Sequence, residues 1–219
     1  MTIVAILGAG GVGRALAGRL LNAGAEVRFG VRDPAAAVGD LTGAVAGVPV
    51  LLPTAAVSGA QVVLLAVPAT AAVEAARAAG DLTGKIVVDS TNPLRWDKGP
   101  VWAPPPEGSV AQALAAAFPG IPVIKGFNHF GLEIQGNPDL AHGPADALFA
   151  GDDADAKAAV MALATGMGFR ARDAGPLRNA AVLENLAVLW IHLATAGGLG
   201  REFGFRIEGR AGFLGKENR

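Results

Sequence analysis

Near its amino terminus the chain reads Gly8-Ala9-Gly10-Gly11-Val12-Gly13. This sits between an apolar run, Thr2 to Leu7, and a stretch rich in alanine and leucine, Arg14 to Ala23, closed by Gly24. The G-x-G-x-x-G spacing constrains the fold more than any other feature. Gly8 permits a tight turn out of a strand, Gly10 lets the backbone come close to a diphosphate, and Gly13 lets the next helix pack closely on that strand. The first helical turn then offers N–H groups and a partial positive charge to an anion. A strand before the turn, a helix after it and a second strand at Glu26 to Gly30 give the context in which such a turn holds a dinucleotide.

The same alternation runs on. Apolar runs at Gln61 to Val67, Lys85 to Asp89 and Pro122 to Lys125 read as strands, with a weaker one at Val48 to Leu51. Helices are expected at Thr54 to Ser58, Thr70 to Ala79 and Gln112 to Phe118, and Ser109 with Gln112 has the form of a capping box. A strand at Ala147 to Ala150, a helix over Asp152 to Gly166 and a strand at Phe169 to Arg172 extend the pattern. Strands apolar on both faces and separated by helices predict a Rossmann-type, doubly wound, mostly parallel α/β sheet. A last helix begins after Pro176, with Leu183, Leu186, Ala187, Trp190, Ile191 and Ala194 on one stripe and Gly197, Gly198 and Gly200 ending it. The expected division is a dinucleotide-binding domain over residues 1–172 and a small helical extension over 173–219. That extension is expected to line the substrate cleft and touch a second copy, and its polar end to fray. Trp102 to Gly108 (WAPPPEG) reads as a stiff exposed loop.

Composition narrows the function. Lys and Arg total 18 against 19 Asp and Glu, a net charge of −1, which excludes a broad basic surface for nucleic acid or a polybasic membrane patch. Hydrophobic residues make up 52% and charged residues 17%, so the chain buries a large core rather than staying disordered. The absence of cysteine removes disulfides, thiolate nucleophiles and cysteine-ligated metals, and no metal is expected. No segment has the length and apolarity of a membrane span, and Met1 to Gly13 lacks a basic leader, so a soluble cytoplasmic protein is expected.

The end of the second strand bears on the nucleotide. NAD binders usually carry an acid there for the ribose 2′-hydroxyl. This chain has Val31 at that position and Arg32 after it, and a guanidinium can pair bidentately with a 2′-phosphate, so NADP is favoured. The alternatives are an Arg32 paired with Asp33, or an Asp33 turned to the ribose, which would restore NAD.

The sequence resembles the coenzyme F420-dependent NADP oxidoreductase family. The likeness is carried by LGAGGVGRALAGRL, the GVRDP turn, LLAVP at Leu64 to Pro68, VVDSTNPL at Val87 to Leu94 and VIKGFNHFG at Val123 to Gly131. FAGDD (Phe149 to Asp153) and DAGPLRNAAVLENL (Asp173 to Leu186) complete it and are its more diagnostic part. The resemblance implies NADP(H) across the carboxyl ends of the strands and hydride exchange between nicotinamide C4 and a deazaflavin or flavin. It places Ala9 to Val12 at the pyrophosphate, Val31 and Arg32 at the 2′-phosphate, and Ala66, Val67 and Pro68 along the adenine-side ribose or diphosphate. Asn92 and Pro93 fall at the nicotinamide ribose, and Lys125, Phe127, Asn128, His129 and Phe130 form a wall beside the nicotinamide. The family often has Ser or Thr where this chain has Val31 and Lys where it has Ala36, and archaeal members have His where it has Asn128.

Such an exchange needs stacking and orientation more than a proton relay. Asn128 is a candidate for holding a carboxamide or acceptor carbonyl, or else is a loop residue bonding its own backbone. His129 is a candidate general acid, or a partly exposed loop histidine. Glu184 is expected either to face the cleft or to be a surface acid. Lys125 is expected either to neutralise a phosphate or to reach water from a strand end. Trp96 and Trp102 either stack on a flat acceptor or anchor a loop. Competing readings are a reductase of imines or small carbonyls and a non-catalytic NADP(H) sensor. A homodimer is expected, because the late helix, Phe203 and Phe205 have little chain left to cover them.

Overall fold

The computed structural model describes residues 1–39 and 41–210. Residues 211–219, the polar end expected to fray, lie outside the described residues. Strand β1 (Ile3–Leu7) enters the glycine turn, and α1 (Gly11–Asn22) leaves it. β2 (Glu26–Gly30), the five-residue α2 (Pro34–Val38), the two-residue β3 (Val50–Leu51) and α3 (Pro53–Val57) follow. The chain then returns to the middle of the sheet with β4 (Val62–Leu65), α4 (Ala72–Ala78) and β5 (Ile86–Asp89). A hairpin comes next, β6 (Leu94–Trp96) and β7 (Pro100–Trp102), before α5 (Val110–Ala117) and β8 (Val123–Lys125).

These strands form a six-stranded sheet in the order β3-β2-β1-β4-β5-β8, with every neighbouring pair parallel. β1 pairs with β2 on one side and β4 on the other, so the strand order reverses at β1, where open α/β sheets bind ligands. The period-2 geometry of a strand explains the two apolar layers. Val4, Ile6, Val62 and Leu64 point to a core shared with Leu16 and Leu20 of α1. Ala5, Leu7, Val63 and Leu65 point to a second core with Ala72, Ala76 and Leu114 of α4 and α5.

Beyond β8, α6 (Leu132–Gly136) and the short pair β9 (Asp139–Leu140) and β10 (Gly143–Pro144) lead into β11 (Asp146–Phe149). α7 (Ala154–Gly166), capped by the Asp153 carboxylate accepting from Ala156 N at 2.8 Å, connects β11 to its parallel partner β12 (Arg170–Asp173). An antiparallel bridge between Lys125 and Ala150 hangs this pair on the edge of the main sheet. α8 (Ala180–Ala194) buries Leu183, Glu184, Ala187, Trp190 and Ala194 against α5 and the hairpin. Leu186 and Ile191, expected in the same stripe, are only half-buried.

After the glycines the chain turns back on itself. Phe203 stacks on Trp190 at 5.2 Å between ring centroids, and Asp146 N donates to Phe205 O at 3.0 Å. Phe203 and Phe205 are therefore half-covered by their own chain, which corrects the expectation that they lie bare. The Pro-rich loop is largely exposed from Ala103 to Glu107, as read, and differs only at its start, where Trp102 is a strand residue bonded to Glu184 of α8. No helix among the described residues is long and apolar enough to cross a membrane.

Candidate functional site

The glycine turn is held by atomic contact. Gly8 sits at φ +110°, donates its N–H to Gly30 O at 3.0 Å, and would place a Cβ 2.5 Å from Ala66 O. A Cβ on Gly13 would lie 2.2 Å from Gly8 O, so helix and turn are in direct contact there. Gly10 is the opposite case. It is exposed, a Cβ on it would meet nothing within 4 Å, and it begins α1 with no side chain capping the helix and no acid in the first turn. The positive end of α1 thus opens onto empty space, a backbone cradle of the kind a diphosphate fits.

Three cavities run along the carboxyl ends of the strands, and Pro68 borders all of them. The first, about 630 Å³, is walled by Gly8, Val31, Arg32, Pro53 and Ala75. The second, about 250 Å³, lies over the turn between Gly10, Gly11, Val12, Ala66, Val67 and Ser90. The third, about 610 Å³, is an open cleft bordered by Thr70, Asn92, Pro93, Arg95, Ala103 and Val110. Ala9 and Gly13 border none of the three: Ala9 packs on the core and Gly13 lies beneath the turn.

At the first cavity Asp33 is committed to the fold, since its Oδ1 caps α2 by accepting from Ala36 N at 3.2 Å, with Pro34 in the first turn. Arg32 is exposed and makes no hydrogen bond or ion pair among the described residues, so the alternative in which it pairs with Asp33 does not hold.

The wall expected beside the nicotinamide differs from its reading. Lys125, Phe127, Asn128, His129, Phe130 and Glu184 are all buried and border none of these cavities. Lys125 neither reaches water nor faces a phosphate site. Its Nζ donates to Asp89 at 2.8 Å, to Thr91 O at 2.5 Å and to Glu184 Oε1 at 3.0 Å, and all three side chains in this ion cluster are fully buried. Glu184 is not a surface acid and does not face a cleft. Besides Lys125, its carboxylate accepts from Val110 N at 3.0 Å and from Trp102 Nε1 at 2.9 Å. Trp102 therefore anchors the hairpin, while Trp96 stands 68% exposed.

His129 is neither an exposed loop residue nor a cleft acid. Burial pulls its pKa down from 6.5 to about 4, outweighing the bond between Nε2 and Asp146 O at 3.1 Å, so the ring is neutral at physiological pH. Phe127 takes a left-handed backbone, φ +59°, and is held between Phe149 and Phe169, with its carbonyl accepting from Gln135 Nε2 at 3.0 Å. Three elements bury this stretch: the bridge at Lys125 brings β11 alongside it, Gln135 of α6 bonds to Phe127, and Leu183 O of α8 accepts from Asn128 Nδ2 at 3.0 Å. Asn128 is the wall residue tied to the groove. Its Nδ2 donates to Asn92 Oδ1 at 2.9 Å, Asn92 Nδ2 donates back to Asn128 O at 2.7 Å, and Asn128 Oδ1 has no partner among the described residues.

The third cavity is built mostly by residues that sequence reasoning passed over: Thr70, Arg95, Ala103, Pro105 and Val110. The available signal was the pair Leu94 to Trp96 and Pro100 to Trp102 around Asp97-Lys98-Gly99, a turn between two short apolar runs.

A six-stranded parallel sheet reversing at a glycine turn, with an uncapped helix opening on a groove along its carboxyl edge, defines a Rossmann-type dinucleotide-binding protein. Residues 3–93 match the family model for coenzyme F420-dependent NADP oxidoreductases. A solved structure of a protein from Arthrobacter sp. FB24, proposed to be an F420-dependent NADP-reductase, is 32% identical with a TM-score of 0.85, covering 94% of this chain and 98% of that one. The chain belongs to this family of NADP-dependent oxidoreductases. The metalloreductase STEAP3 of Rattus norvegicus is 34% identical over 182 residues, which is 83% of this chain. The chain spans 35% of that relative's length. A reductive aminase from Aspergillus terreus, solved with NADPH and ethyl-5-oxohexanoate, shares the fold at 22% identity and a TM-score of 0.65, over 90% of this chain and 63% of that one.

Proposed function

We propose that the chain binds NADP(H) along the three-cavity groove and exchanges hydride between nicotinamide C4 and a deazaflavin of the F420 type or a flavin. The observation that carries this reading is the join between an uncapped glycine turn at the centre of the groove and, at one end, an arginine unpaired among the described residues. Backbone N–H groups from Gly10 to Val12 bind the diphosphate, and Arg32 takes the 2′-phosphate. Ala66, Val67 and Pro68 flank the diphosphate, and Asn92 and Pro93 orient the nicotinamide ribose. The bound nucleotide supplies the hydride. The protein's part is to hold two flat rings together and exclude water, which requires no acid or base. The third cavity, walled by prolines, alanines and valines, suits a flat acceptor, and Arg95 at its edge pairs with Asp97 at 3.2 Å.

The test is the loss of NADPH absorbance with F420, FMN or FAD as acceptor, beside calorimetric titration of NADPH. Turnover with one of these supports the proposal. Turnover with imines or carbonyls alone makes the chain a reductase of small molecules, and tight nucleotide binding without any turnover makes it a sensor. Absence of NADP(H) binding removes all three readings. A homodimer through Val182 and Leu189, exposed on the outer face of α8, belongs to the same proposal; a monomer mass by light scattering would overturn it.

A further inference from the structure

Glu184 touches none of the three cavities, yet its carboxylate meets donors from three separate elements. Trp102 Nε1 comes from β7, Val110 N from the first turn of α5, and Lys125 Nζ from the end of β8. Val110 lines the third cavity, and Trp102 lies next in sequence to Ala103, which also lines it. Leu94 and Arg95, which border that cavity, lie on β6, whose register against β7 sets Leu94 opposite Trp102. Ala103, Pro104 and Pro105 continue from Trp102 on the same side, and Ala103 N closes the hairpin base by donating to Pro93 O at 2.8 Å. Val110 and Ala113 of α5 form the adjoining wall. The first two cavities contain none of Glu184's partners.

We infer that Glu184 is a positioning residue for the acceptor side of the groove, fixing the hairpin and α5 as one rigid wall while leaving the nucleotide side independent. The reading of the third cavity as the acceptor site rests on the function proposed above; the mechanical claim does not. The charged acceptor gives one strong, directional hydrogen bond to the hairpin, whose three-residue strands are too small to be rigid alone, and one to the first turn of α5, so a single carboxylate ties the two together. Lys125 keeps that carboxylate compensated in the interior, and Asp89, accepting from Thr91 N at 2.9 Å, fixes the lysine in turn.

The experiment uses the whole chain and two variants. Trp102→Phe keeps the ring and the buried ion cluster but removes one tether. Glu184→Gln keeps the shape and removes the charge. In both, amide hydrogen exchange across residues 93–110 is expected to rise, while exchange across residues 3–30 and the Kd for NADPH stay within about twofold. With FMN or F420, whichever the wild type turns over, KM for the acceptor is expected to rise about tenfold with kcat changed far less. Unchanged exchange at 93–110 in Trp102→Phe overturns the inference, as does a rise spread evenly over the chain or a loss of NADPH affinity in step with acceptor KM. If the wild type binds no NADPH or uses neither acceptor, the proposed function fails, and the exchange pattern still decides whether Glu184 holds the wall.

Discussion

Of the helices that begin at the carboxyl edge of the sheet, α1 and α5 have their ends finished in opposite ways. α1 starts at Gly10 with no capping side chain and open space above it. α5 starts at Ser109, whose hydroxyl oxygen accepts from Gln112 N at 3.2 Å, and a buried carboxylate from α8 accepts from its first N–H. The two positive poles are equivalent in physical origin. One is neutralised by the protein itself, and the other is left for an anion from outside. On the proposed function, this difference is what sends the diphosphate to the glycine turn and leaves α5 as a structural wall.

The largest effect is expected where the internal anion loses its cation. Lys125→Met leaves Asp89 and Glu184 as two buried carboxylates with no positive partner, and breaking a buried pair from one side costs about 3–5 kcal/mol. Urea denaturation at neutral pH should show that loss. A cost below about 1 kcal/mol would mean the cluster is hydrated, and α5 would no longer stand as the self-neutralised end. Next comes the external anion. Arg32→Ala should weaken NADPH binding by about 10- to 100-fold, the value of a charge-assisted bond, with NADH binding unchanged. Equal losses for both nucleotides would place Arg32 away from the 2′-phosphate and leave the open end without its selectivity.

How much of this contrast the sequence discloses depends on the range of the forces involved. The glycine turn is local chemistry: Gly8, Gly10 and Gly13 declare their geometry by their spacing, and the strands on either side of them follow from alternation and β-branching. The plugged end is not local. Asp89 and Glu184 lie 36 and 59 residues from Lys125, and nothing in the surroundings of each residue tells a buried partner from a solvated charge. The hairpin escapes notice because two three-residue strands carry too little periodicity, although their register puts Trp102 within reach of Glu184. His129 hides its burial for a related reason. A histidine after a strand looks exposed until the bridge at Lys125 brings β11 across it.

The contrast can be sharpened by giving α1 the cap that α5 has. Gly10→Ser adds a side chain where nothing lies within 4 Å, at φ −75° and ψ −173°, a conformation open to any residue and suited to a helix cap. The hydroxyl should stabilise the helix by a few tenths of a kcal/mol while occupying the N–H groups and space meant for a diphosphate, and NADPH affinity should fall about tenfold. A variant both steadier to heat and weaker in binding is the expected signature. Loss of both together would mean that Gly10 is needed by the fold.

The smallest effect comes from removing the cap that exists. Ser109→Ala deletes the bond to Gln112 N, a loss typically near 1 kcal/mol. Here it should fall at the low end of the usual range, because Glu184 still holds Val110 N at 3.0 Å and the helix end keeps a full negative charge against it. Thermal melts of Ser109→Ala, Glu184→Gln and the double variant separate the two contributions. If the carboxylate and the hydroxyl share the work of neutralising that end, the double variant loses more than the two singles added together, since each masks the absence of the other. Simple additivity would instead assign the carboxylate wholly to Lys125 and Trp102, and α5 would be capped by its serine alone.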